Sequence, residues 1–564
     1  MMAQISVLIG MDPNNNNNNS TQESSERVQN LLKTLTIEQK IAQLFMPGMQ
    51  LNDPNDFEKV TDLIKKYSIG GVLLTKLLTH TSISEIAFNY IQCLHHTNKV
   101  FEHPIPIWIS MDAEWGPAMR LTYAICFPKA MTLAATADTK YSYECGKEIG
   151  RQLEELGIHI NLAPVVDVNN NPANPVIGVR SFGENPKQIF LMAAAYWAGI
   201  TDKIISCIKH FPGHGDTNID SHRALPVINH SIERLQEVEL KPFKAFIDMG
   251  IPMIMVAHLL IPALDKELPA SLSPVIIDLL RKQLGFKGLV ITDGLKMDAV
   301  SKKYNSKELA LLAFKAGNDI ILQLEDTQAG IEALVDAYKQ NIITQEQIDE
   351  HVERILQAKV KQNLFNQSPY PEIEDISKKI NAPHSYELQK RLYAAAMTLV
   401  NNDNHVLPIL ESDVNQTFLI DIDDSGAVSF FGEKLESKGI LTIHQNNKTF
   451  DVASVDLNIE RIVRDYKKII IRIGSMNQLV QESYGIGSST KYLCHRLQDE
   501  NCTIVLCGTP YAASLFEKQG LLVAYEDNRA AQLAAADVVL GTCPTGKLPV
   551  SIGIRYPAGT GISF

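Results

Sequence analysis

Eight short apolar runs alternate with longer amphipathic segments between residues 27 and 365, and this alternation constrains the fold more than any other feature of the chain. The runs are rich in β-branched residues and lack strict polar alternation, which is typical of strands buried on both faces of a parallel sheet. They are residues 41–46, 71–75, 107–112, 160–166, 204–209, 253–257, 289–293 and 320–324. Eight strand–helix units predict an α/β fold, a closed (β/α)8 barrel of the TIM type with its active site where the strands end. An open doubly wound sheet with fewer strands is the alternative.

The rest of the 564-residue chain divides by composition. Residues 1–26 contain six consecutive Asn and other polar residues, too few apolar groups to offset the entropy of ordering, and are predicted to be a disordered tail. The barrel is predicted over 27–365, followed by a charged, Pro-containing linker over 366–385. Residues 386–564 begin with a helical pattern and continue with apolar strands at 418–422, 469–473, 503–507 and 521–525, which predicts a smaller C-terminal α/β domain.

Charge and hydropathy exclude several classes of protein. The net charge is −12 with no long basic run, so we expect no nucleic-acid partner. No stretch of about 20 apolar residues is present, so we expect no membrane span. The N-terminus has no basic residue before its apolar patch and no cleavage site, which predicts a cytoplasmic protein, or a periplasmic one if the N-terminus is incomplete. Eight scattered cysteines predict reduced thiols and no zinc site. Nothing in the sequence predicts an oligomeric state.

The loop after the fifth run is the segment richest in reactive side chains, with three His, two Asp and one Lys in residues 209–222. Its Asp-x-Asn-x-Asp spacing resembles half of a calcium loop, but Ser221 replaces the required Gly and Val227 replaces the bidentate Glu, which excludes calcium. A transition-metal site built from the three histidines is an alternative, although no second strand contributes an obvious His-x-His pair.

The third interpretation of this loop pairs Asp220 with His222. Residues i and i+2 of an extended loop can point the same way, so the carboxylate can orient the imidazole and favour its protonated form. The seventh run leads directly into Asp293, at the rim where barrel active sites lie. An imidazole acid and a carboxylate facing one pocket are the groups needed for glycosyl transfer through an oxocarbenium-like state.

Several motifs together resemble glycoside hydrolase family 3, specifically its β-N-acetylglucosaminidase branch. The central ones are Lys209-His-Phe-Pro-Gly-His-Gly, Asp220-Ser-His222 and Ile291-Thr-Asp293-Gly-Leu-Lys-Met. The likeness extends over nearly the whole barrel to Ile69-Gly-Gly-Val-Leu-Leu, Asp112-Ala-Glu-Trp-Gly-Pro-Ala-Met-Arg120, Asn161-Leu-Ala-Pro-Val-Val-Asp167-Val and Gly178-Val-Arg180-Ser-Phe-Gly. The C-terminal region is similar to the second domain of this family, in Ala394-Ala-Ala-Met-Thr-Leu-Val-Asn-Asn and Val523-Ala-Tyr-Glu-Asp-Asn.

The resemblance implies a retaining mechanism that needs no metal and no cofactor. Asp293 would be the nucleophile and His222 the acid/base, with Asp220 as the partner of His222. The implied substrate is a carbohydrate with a terminal β-linked N-acetylglucosamine, taken from oligosaccharides or cell-wall fragments. The implied sugar-binding residues are Asp112, Arg120, Arg180, Lys209 and His210.

The resemblance leaves two alternative enzymatic activities open. A β-glucosidase is the first, although members of that branch usually carry Trp after the nucleophile, where this chain has Gly294. A phosphorylase is the second, because a His acid is neutral after it has donated its proton and would not repel phosphate. The C-terminal domain receives no chemical role: its phosphate-loop-like segment 541–547 is followed by Leu548 and Pro549, which excludes nucleotide binding. His258, after the sixth run, is as often structural as ligand-facing and is left out of the predicted site.

Overall fold

The computed structural model describes residues 18–51, 53–75, 91, 94, 104–200, 203–221, 223–366, 376–448, 452–516 and 518–564. The chain forms two compact units. Unit 1 comprises the described residues of Met1–Phe127, Ser142–Val168 and Phe190–Ser385. Unit 2 comprises those of Pro128–Tyr141, Asn169–Ile189 and Tyr386–Phe564. Two short segments that the sequence analysis assigned to the barrel, 128–141 and 169–189, therefore pack with unit 2.

The strands of unit 1 form a parallel barrel. The first strand, β1, is interrupted at Pro47, and every predicted apolar run overlaps one strand. The strands are β1 (Phe45–Met46 and Gly48–Gln50), β2 (Gly71–Thr75), β3 (Trp108–Met111), β4 (Ile160–Asn161), β5 (Ile205–Phe211), β6 (Met253–Val256), β7 (Leu289–Thr292) and β8 (Ile321–Leu322).

Closure of the barrel follows from the strand pairing. Each strand from β1 to β7 pairs in parallel with the next one. A parallel bridge joins Ile291 of β7 to Ile320, and Phe45 of β1 pairs with Ile321 of β8. The TIM-type barrel predicted from the number of runs is thus confirmed, and the open-sheet alternative is wrong.

Helices surround the strands of unit 1, and residues that commonly cap helices stand at their ends. The helix Ser306–Ala316 begins at Asn305, whose side chain accepts the Lys307 and Glu308 N–H groups, and it ends at Gly317 with a φ of +104°, a left-handed conformation that favours glycine. The helices lying wholly in this unit are Asn18–Thr34, Ile37–Ala42, Pro54–Tyr67, Ile232–Glu237, Leu240–Asp248, Pro274–Asp278 (continued by the π-helical turn Leu279–Gln283), Asp298–Ser301, Ser306–Ala316, Thr327–Lys339, Gln345–Lys361 and Ile376–Ile380.

Part of the predicted disordered tail is helical. Residues 1–17 lie outside the described part of the chain, but Asn18–Thr34 form a helix that contacts the helix Gln345–Lys361. Val28 and Leu32 are buried on this helix, and Gln29 hydrogen-bonds Glu353. Burial of these apolar side chains offsets the entropy that is lost when the polar residues 18–26 become ordered at the beginning of the same helix.

The amino ends of the barrel strands are closed by the end of the helix Gln345–Lys361. The buried Lys359 ammonium donates to Gln43 Oε1 and to the Gly70 carbonyl, each at 2.8 Å. Gln362 Oε1 accepts the indole N–H of Trp108 at 2.7 Å. Burial without a facing carboxylate lowers the pKa of Lys359. These polar contacts satisfy groups at the end of the barrel opposite to the strand carboxyl ends.

Unit 2 contains a six-stranded sheet among its described residues. Its strands are β9 (Thr398–Asn401), β10 (Thr417–Asp423), β11 (Leu441–Asn446), β12 (Lys468–Ile473), β13 (Cys502–Leu506) and β14 (Gly520–Val523). The order is β9-β14-β13-β12-β10-β11, with β9 antiparallel and the others parallel. The helices lying wholly in this unit are Ala130–Ala135, Phe430–Glu436, Val452–Asp465, Ser488–Arg496 and Arg529–Val539. The helices Thr139–Glu155, Pro186–Gly199 and Pro383–Ala396 cross from one unit's residues to the other's.

Both faces of this sheet are covered by apolar side chains. Phe418, Ile420 and Ile422 of β10 belong to one buried cluster, whereas Leu419 belongs to a second. Because successive side chains of a strand point to opposite faces, the two clusters lie on the two faces of the sheet. The predicted C-terminal α/β domain is therefore confirmed as a fold. In the described part of the chain, no helix is long and apolar enough to span a membrane.

Candidate active site

The carboxyl ends of the unit 1 strands bring together charged residues that are far apart in sequence. Asp112 directly follows β3, Lys209 and His210 lie in the last part of β5, and Asp293 directly follows β7. All the strands are parallel, so their carboxyl ends meet at one rim of the barrel. The structure thus gathers at this rim four of the residues predicted from the sequence.

Lys209 and Arg120 converge on the carboxylate of Asp112. Lys209 Nζ lies 2.8 Å from Asp112 Oδ1, and Arg120 donates to Asp112 Oδ2. Lys209 also lies 2.9 Å from Glu114 Oε1. Burial alone would raise the pKa of Asp112, but the Lys209 ammonium and the Arg120 guanidinium outweigh it and hold that pKa well below its usual range. The carboxylate is therefore ionised at neutral pH.

A second buried carboxylate, Asp167, organises the loop that follows β5. Its Oδ2 lies 2.7 Å from His210 Nδ1, and its oxygens accept the backbone N–H groups of His210 at 3.2 Å and His214 at 2.6 Å. Burial raises the pKa of Asp167, but the His210 ring and these hydrogen bonds lower it further than burial raises it. Asp167 is fully buried and orients the ring of His210 at the rim.

His214 is a buried, neutral imidazole in the same loop. Burial, followed by the neighbouring His210, lowers its pKa to about 4. Its Nδ1 lies 3.0 Å from Thr217 Oγ1, and its Nε2 lies 3.2 Å from Ser221 Oγ. These contacts connect the beginning of the loop to Ser221, the residue next to Asp220. Among the described residues, no group of three or more His, Cys, Asp or Glu side chains is placed to hold a metal ion.

The Asp293 carboxylate is partly buried at the end of β7, and the N–H of Gly294 donates to its Oδ1 at 2.8 Å. Burial raises the pKa of Asp293. His210 and His258, the Gly294 N–H and Lys209 together lower it by more, so the net shift is downward. Asp293 is thus an ionised carboxylate that accepts a hydrogen bond from Gly294, which is the state required of a nucleophile.

Three predicted site residues remain to be located, namely Asp220, His222 and Arg180. Asp220 is half-buried, with its carbonyl accepting the N–H groups of Arg223 and Ala224 and its carboxylate 4.0 Å from Arg223 Nε. His222 lies outside the described residues, so its pairing with Asp220 stays a prediction. Arg180 belongs to unit 2, where its guanidinium donates to the Val176 carbonyl at 3.2 Å, and it stays a predicted sugar contact.

Sequence reasoning missed Glu114 and Asp167 as members of this site. Asp167 ends an apolar run in the same way as Asp293, so the signal that identified Asp293 applied equally to Asp167. Glu114 lies two residues after Asp112, on the same side of an extended segment, which was the argument applied to Asp220 and His222. Only the ion pair with Lys209 shows that Glu114 belongs to the network.

Comparison with known proteins agrees with the motifs. The chain is 33% identical over 383 residues to β-hexosaminidase A of Pseudoalteromonas piscicida, an alignment that covers 63% of each protein. It is 32% identical over 365 residues to β-hexosaminidase LpqI of Mycobacterium tuberculosis, covering 63% of this chain and 90% of LpqI.

A solved structure of a glycoside hydrolase family 3 β-N-acetylglucosaminidase from Paenibacillus sp. str. FPU-7 superimposes with a TM-score of 0.79 at 28% identity. The superposition covers 92% of this chain and 99% of that one. Residues 36–358 match the glycosyl hydrolase family 3 N-terminal domain. Since this match covers more than half of the sequence, the chain belongs to glycosyl hydrolase family 3.

Proposed function

We propose that this chain is a retaining glycoside hydrolase that releases terminal β-linked N-acetylglucosamine from oligosaccharides or peptidoglycan fragments. The observation that carries the proposal is the partly buried Asp293 carboxylate, whose pKa is lowered, at the carboxyl end of β7. An ionised carboxylate at this rim is the nucleophile that a retaining glycosidase uses. The β-hexosaminidase names of the relatives and the name of the Paenibacillus enzyme support this substrate class.

The charged network beside Asp293 suits the binding of a terminal sugar. Asp112, Arg120 and Lys209 provide one acceptor and two charged donors, from the segment after β3 and from the end of β5. Hydrogen bonds to ionised groups are stronger than those between neutral groups, and sugar hydroxyls can both donate and accept. His210, held by Asp167, and Arg180 complete the proposed sugar-binding set.

The proposed reaction has two steps. In the first step, Asp293 attacks the anomeric carbon, the glycosidic C–O bond breaks, and His222 donates its proton to the leaving oxygen. In the second step, His222 takes a proton from water while the water oxygen attacks the anomeric carbon and displaces the Asp293 carboxylate. The partner proposed for His222 is Asp220, which would favour the imidazolium needed in the first step.

A panel of aryl β-glycosides tests the substrate and the acceptor. We expect release of aryl alcohol from the N-acetylglucosaminide, much less from the glucoside, and free N-acetylglucosamine as the sugar product with or without phosphate. Sugar 1-phosphate formed only with phosphate present would identify a phosphorylase, and preference for the glucoside would identify a β-glucosidase. Either result would contradict the proposal.

Covalent trapping tests the role of Asp293. A 5-fluoro-N-acetylglucosaminyl fluoride should label the peptide that contains Asp293, as read by peptide mass mapping. Asp293→Asn should abolish both turnover and labelling. The matched control is Asp298→Asn, because Asp298 lies in the next helix with an exposed side chain paired to Lys302 and should leave both unchanged. An active enzyme with no adduct on this peptide would show that Asp293 is not the nucleophile.

A further inference from the structure

His258 lies fully buried just beyond the carboxyl end of β6, beside the strand that carries Asp293. Strands β6 and β7 pair in parallel with Val256 opposite Thr292. The Asp293 N–H donates to the Val256 carbonyl at 2.9 Å. The backbone of β6 therefore fixes the main chain of Asp293. His258 makes the next contact between the two segments, with Gly294.

The hydrogen bond of His258 to Gly294 places a proton on one of its ring nitrogens. Nε2 lies 3.0 Å from the Gly294 carbonyl oxygen, which can only accept, so Nε2 carries a proton and donates it. Nδ1 lies 2.6 Å from Ser271 Oγ. Ser271 is held in turn, because its N–H donates to the Ala257 carbonyl at 3.1 Å and its carbonyl accepts Asn318 Nδ2 at 2.8 Å. His258 thus connects a fixed serine to the carbonyl of Gly294, the residue that follows Asp293.

Gly294 is the residue through which His258 can act on Asp293. Its carbonyl is held by His258, while its N–H donates to Asp293 Oδ1 at 2.8 Å. A Cβ at this position would lie 2.8 Å from Gln323 Oε1, the far end of a flexible side chain, so a larger residue would require that amide to shift. Glycine leaves the backbone more conformational freedom than any other residue, and a hydrogen bond to its carbonyl restricts that freedom.

We propose that His258 is a positioning residue for the Asp293 carboxylate, acting through the backbone of Gly294. By holding the Gly294 carbonyl, His258 keeps the Gly294 N–H directed at Asp293 Oδ1, so that the carboxylate is held in the orientation required for attack. This inference rests on the proposed function, because it assigns a role to a residue that supports the proposed nucleophile. His258 itself need not touch the sugar.

The test compares His258→Leu with His258→Gln, using the rate constant of covalent labelling and the inhibitor concentration for half-maximal labelling. Leucine removes the donor, whereas the glutamine amide can still donate to the Gly294 carbonyl. We expect His258→Leu to label about 10- to 100-fold more slowly at an unchanged half-maximal concentration, and His258→Gln to recover part of that rate. A milder variant, Ser271→Ala, keeps the ring and should slow labelling about 2- to 10-fold.

The matched control is His159→Leu. His159 is a buried histidine at the amino end of β4, opposite the rim, where its Nδ1 accepts the Ile109 N–H at 3.0 Å. Both leucine variants should lower the thermal midpoint, but only His258→Leu should slow labelling. Labelling of His258→Leu at the wild-type rate, or an equal loss in His258→Leu and His258→Gln, would overturn the inference. If His258→Leu does not fold, unchanged labelling in Ser271→Ala would overturn it as well.

The two proposals fail in different ways. If Asp293→Asn remains active and the wild-type enzyme carries no adduct, the proposed function fails. If Asp293→Asn is inactive and unlabelled while the His258 variants label normally, the function stands and the positioning role of His258 fails.

Discussion

Lys209 Nζ lies 2.9 Å from Glu114 Oε1, and both side chains are almost completely buried, with 2% and 4% of their surfaces exposed. The same ammonium contacts Asp112, so one lysine compensates two carboxylates at the rim of the barrel. A buried charge without a partner is costly, which makes this lysine important for stability.

Replacement of Lys209 by methionine should therefore destabilise unit 1 strongly. We expect a loss of about 3–5 kcal/mol in the free energy of unfolding, because Glu114 would lose its described ion-pair partner and Asp112 one of two. Urea denaturation measures this loss. Lys203→Met is the control, because Lys203 pairs with Glu154 at an exposed position and should cost less than about 1 kcal/mol. Equal losses in the two variants would contradict the burial argument.

Asp167→Asn should impair catalysis through His210 and His214. The neutral amide keeps the shape of the side chain but weakens the contacts to the His210 ring and to the two backbone N–H groups. Loss of one charge-assisted hydrogen bond is worth about 1.5–3 kcal/mol, so we expect kcat/KM to fall about 10- to 100-fold.

The control for Asp167→Asn comes from the same loop. Asp216 is partly exposed and contacts His230 Nε2 at 2.8 Å, so Asp216→Asn should change kcat/KM less than about threefold. Steady-state kinetics on an aryl glycoside compares the two variants. An Asp167→Asn enzyme as active as the Asp216→Asn enzyme would remove Asp167 from the site.

The neutral state of His214 predicts a dependence of stability on pH. Its pKa is about 4 in the folded protein and 6.5 in the ordinary reference state. Between these values the unfolded chain binds a proton that the folded chain does not, so the contribution of His214 is complete above about pH 6.5 and is lost as the pH falls towards 4. The free energy of unfolding should decrease by up to about 3 kcal/mol over this window.

A variant without the titrating ring tests this dependence. His214→Asn should be less stable than the wild-type protein at pH 7, and the difference between the two should shrink as the pH falls to 4. Urea unfolding at pH 7, 6, 5 and 4 measures the difference. A difference that stays constant over this range would show that His214 does not titrate as expected.

Asp319 should be important for stability without affecting substrate binding. It is fully buried and accepts hydrogen bonds from Arg281, Arg354 and the Val290 N–H, with His351 Nδ1 at 2.8 Å. Burial raises the pKa of Asp319, but these groups hold it well below its usual range. Asp319→Asn should cost about 3–5 kcal/mol in unfolding free energy, because two partly buried arginines lose a shared counterion.

The substrate KM distinguishes this structural role from a role in the site. Asp319→Asn should leave KM unchanged when it is measured well below the thermal midpoint. The exposed Asp336, which lies 3.9 Å from Lys339, provides the control: Asp336→Asn should change the unfolding free energy by less than about 1 kcal/mol. A raised KM with unchanged stability in Asp319→Asn would contradict the structural assignment.

The strands of the barrel could be predicted well because each is a local apolar, β-branched run. β11 was missed, since it lies at the edge of its sheet and its side chains are mostly half-exposed and polar. The helix Asn18–Thr34 was missed at its beginning because a polar tract precedes its buried stripe. In both cases the apolar signal was weak where only one face of the element is buried.

The sequence by itself determined the barrel and the end of each strand, and hence that Asp112, Lys209, His210 and Asp293 lie on one rim. Periodicity and apolar composition are local properties of the chain, and they suffice for that conclusion. Which donor meets which acceptor was decided only by the tertiary structure. The contacts of Asp167 with His210 and of His258 with Gly294 join segments at the ends of neighbouring strands, and the pairing of β4 with β5 and of β6 with β7 brings these atoms within hydrogen-bond distance.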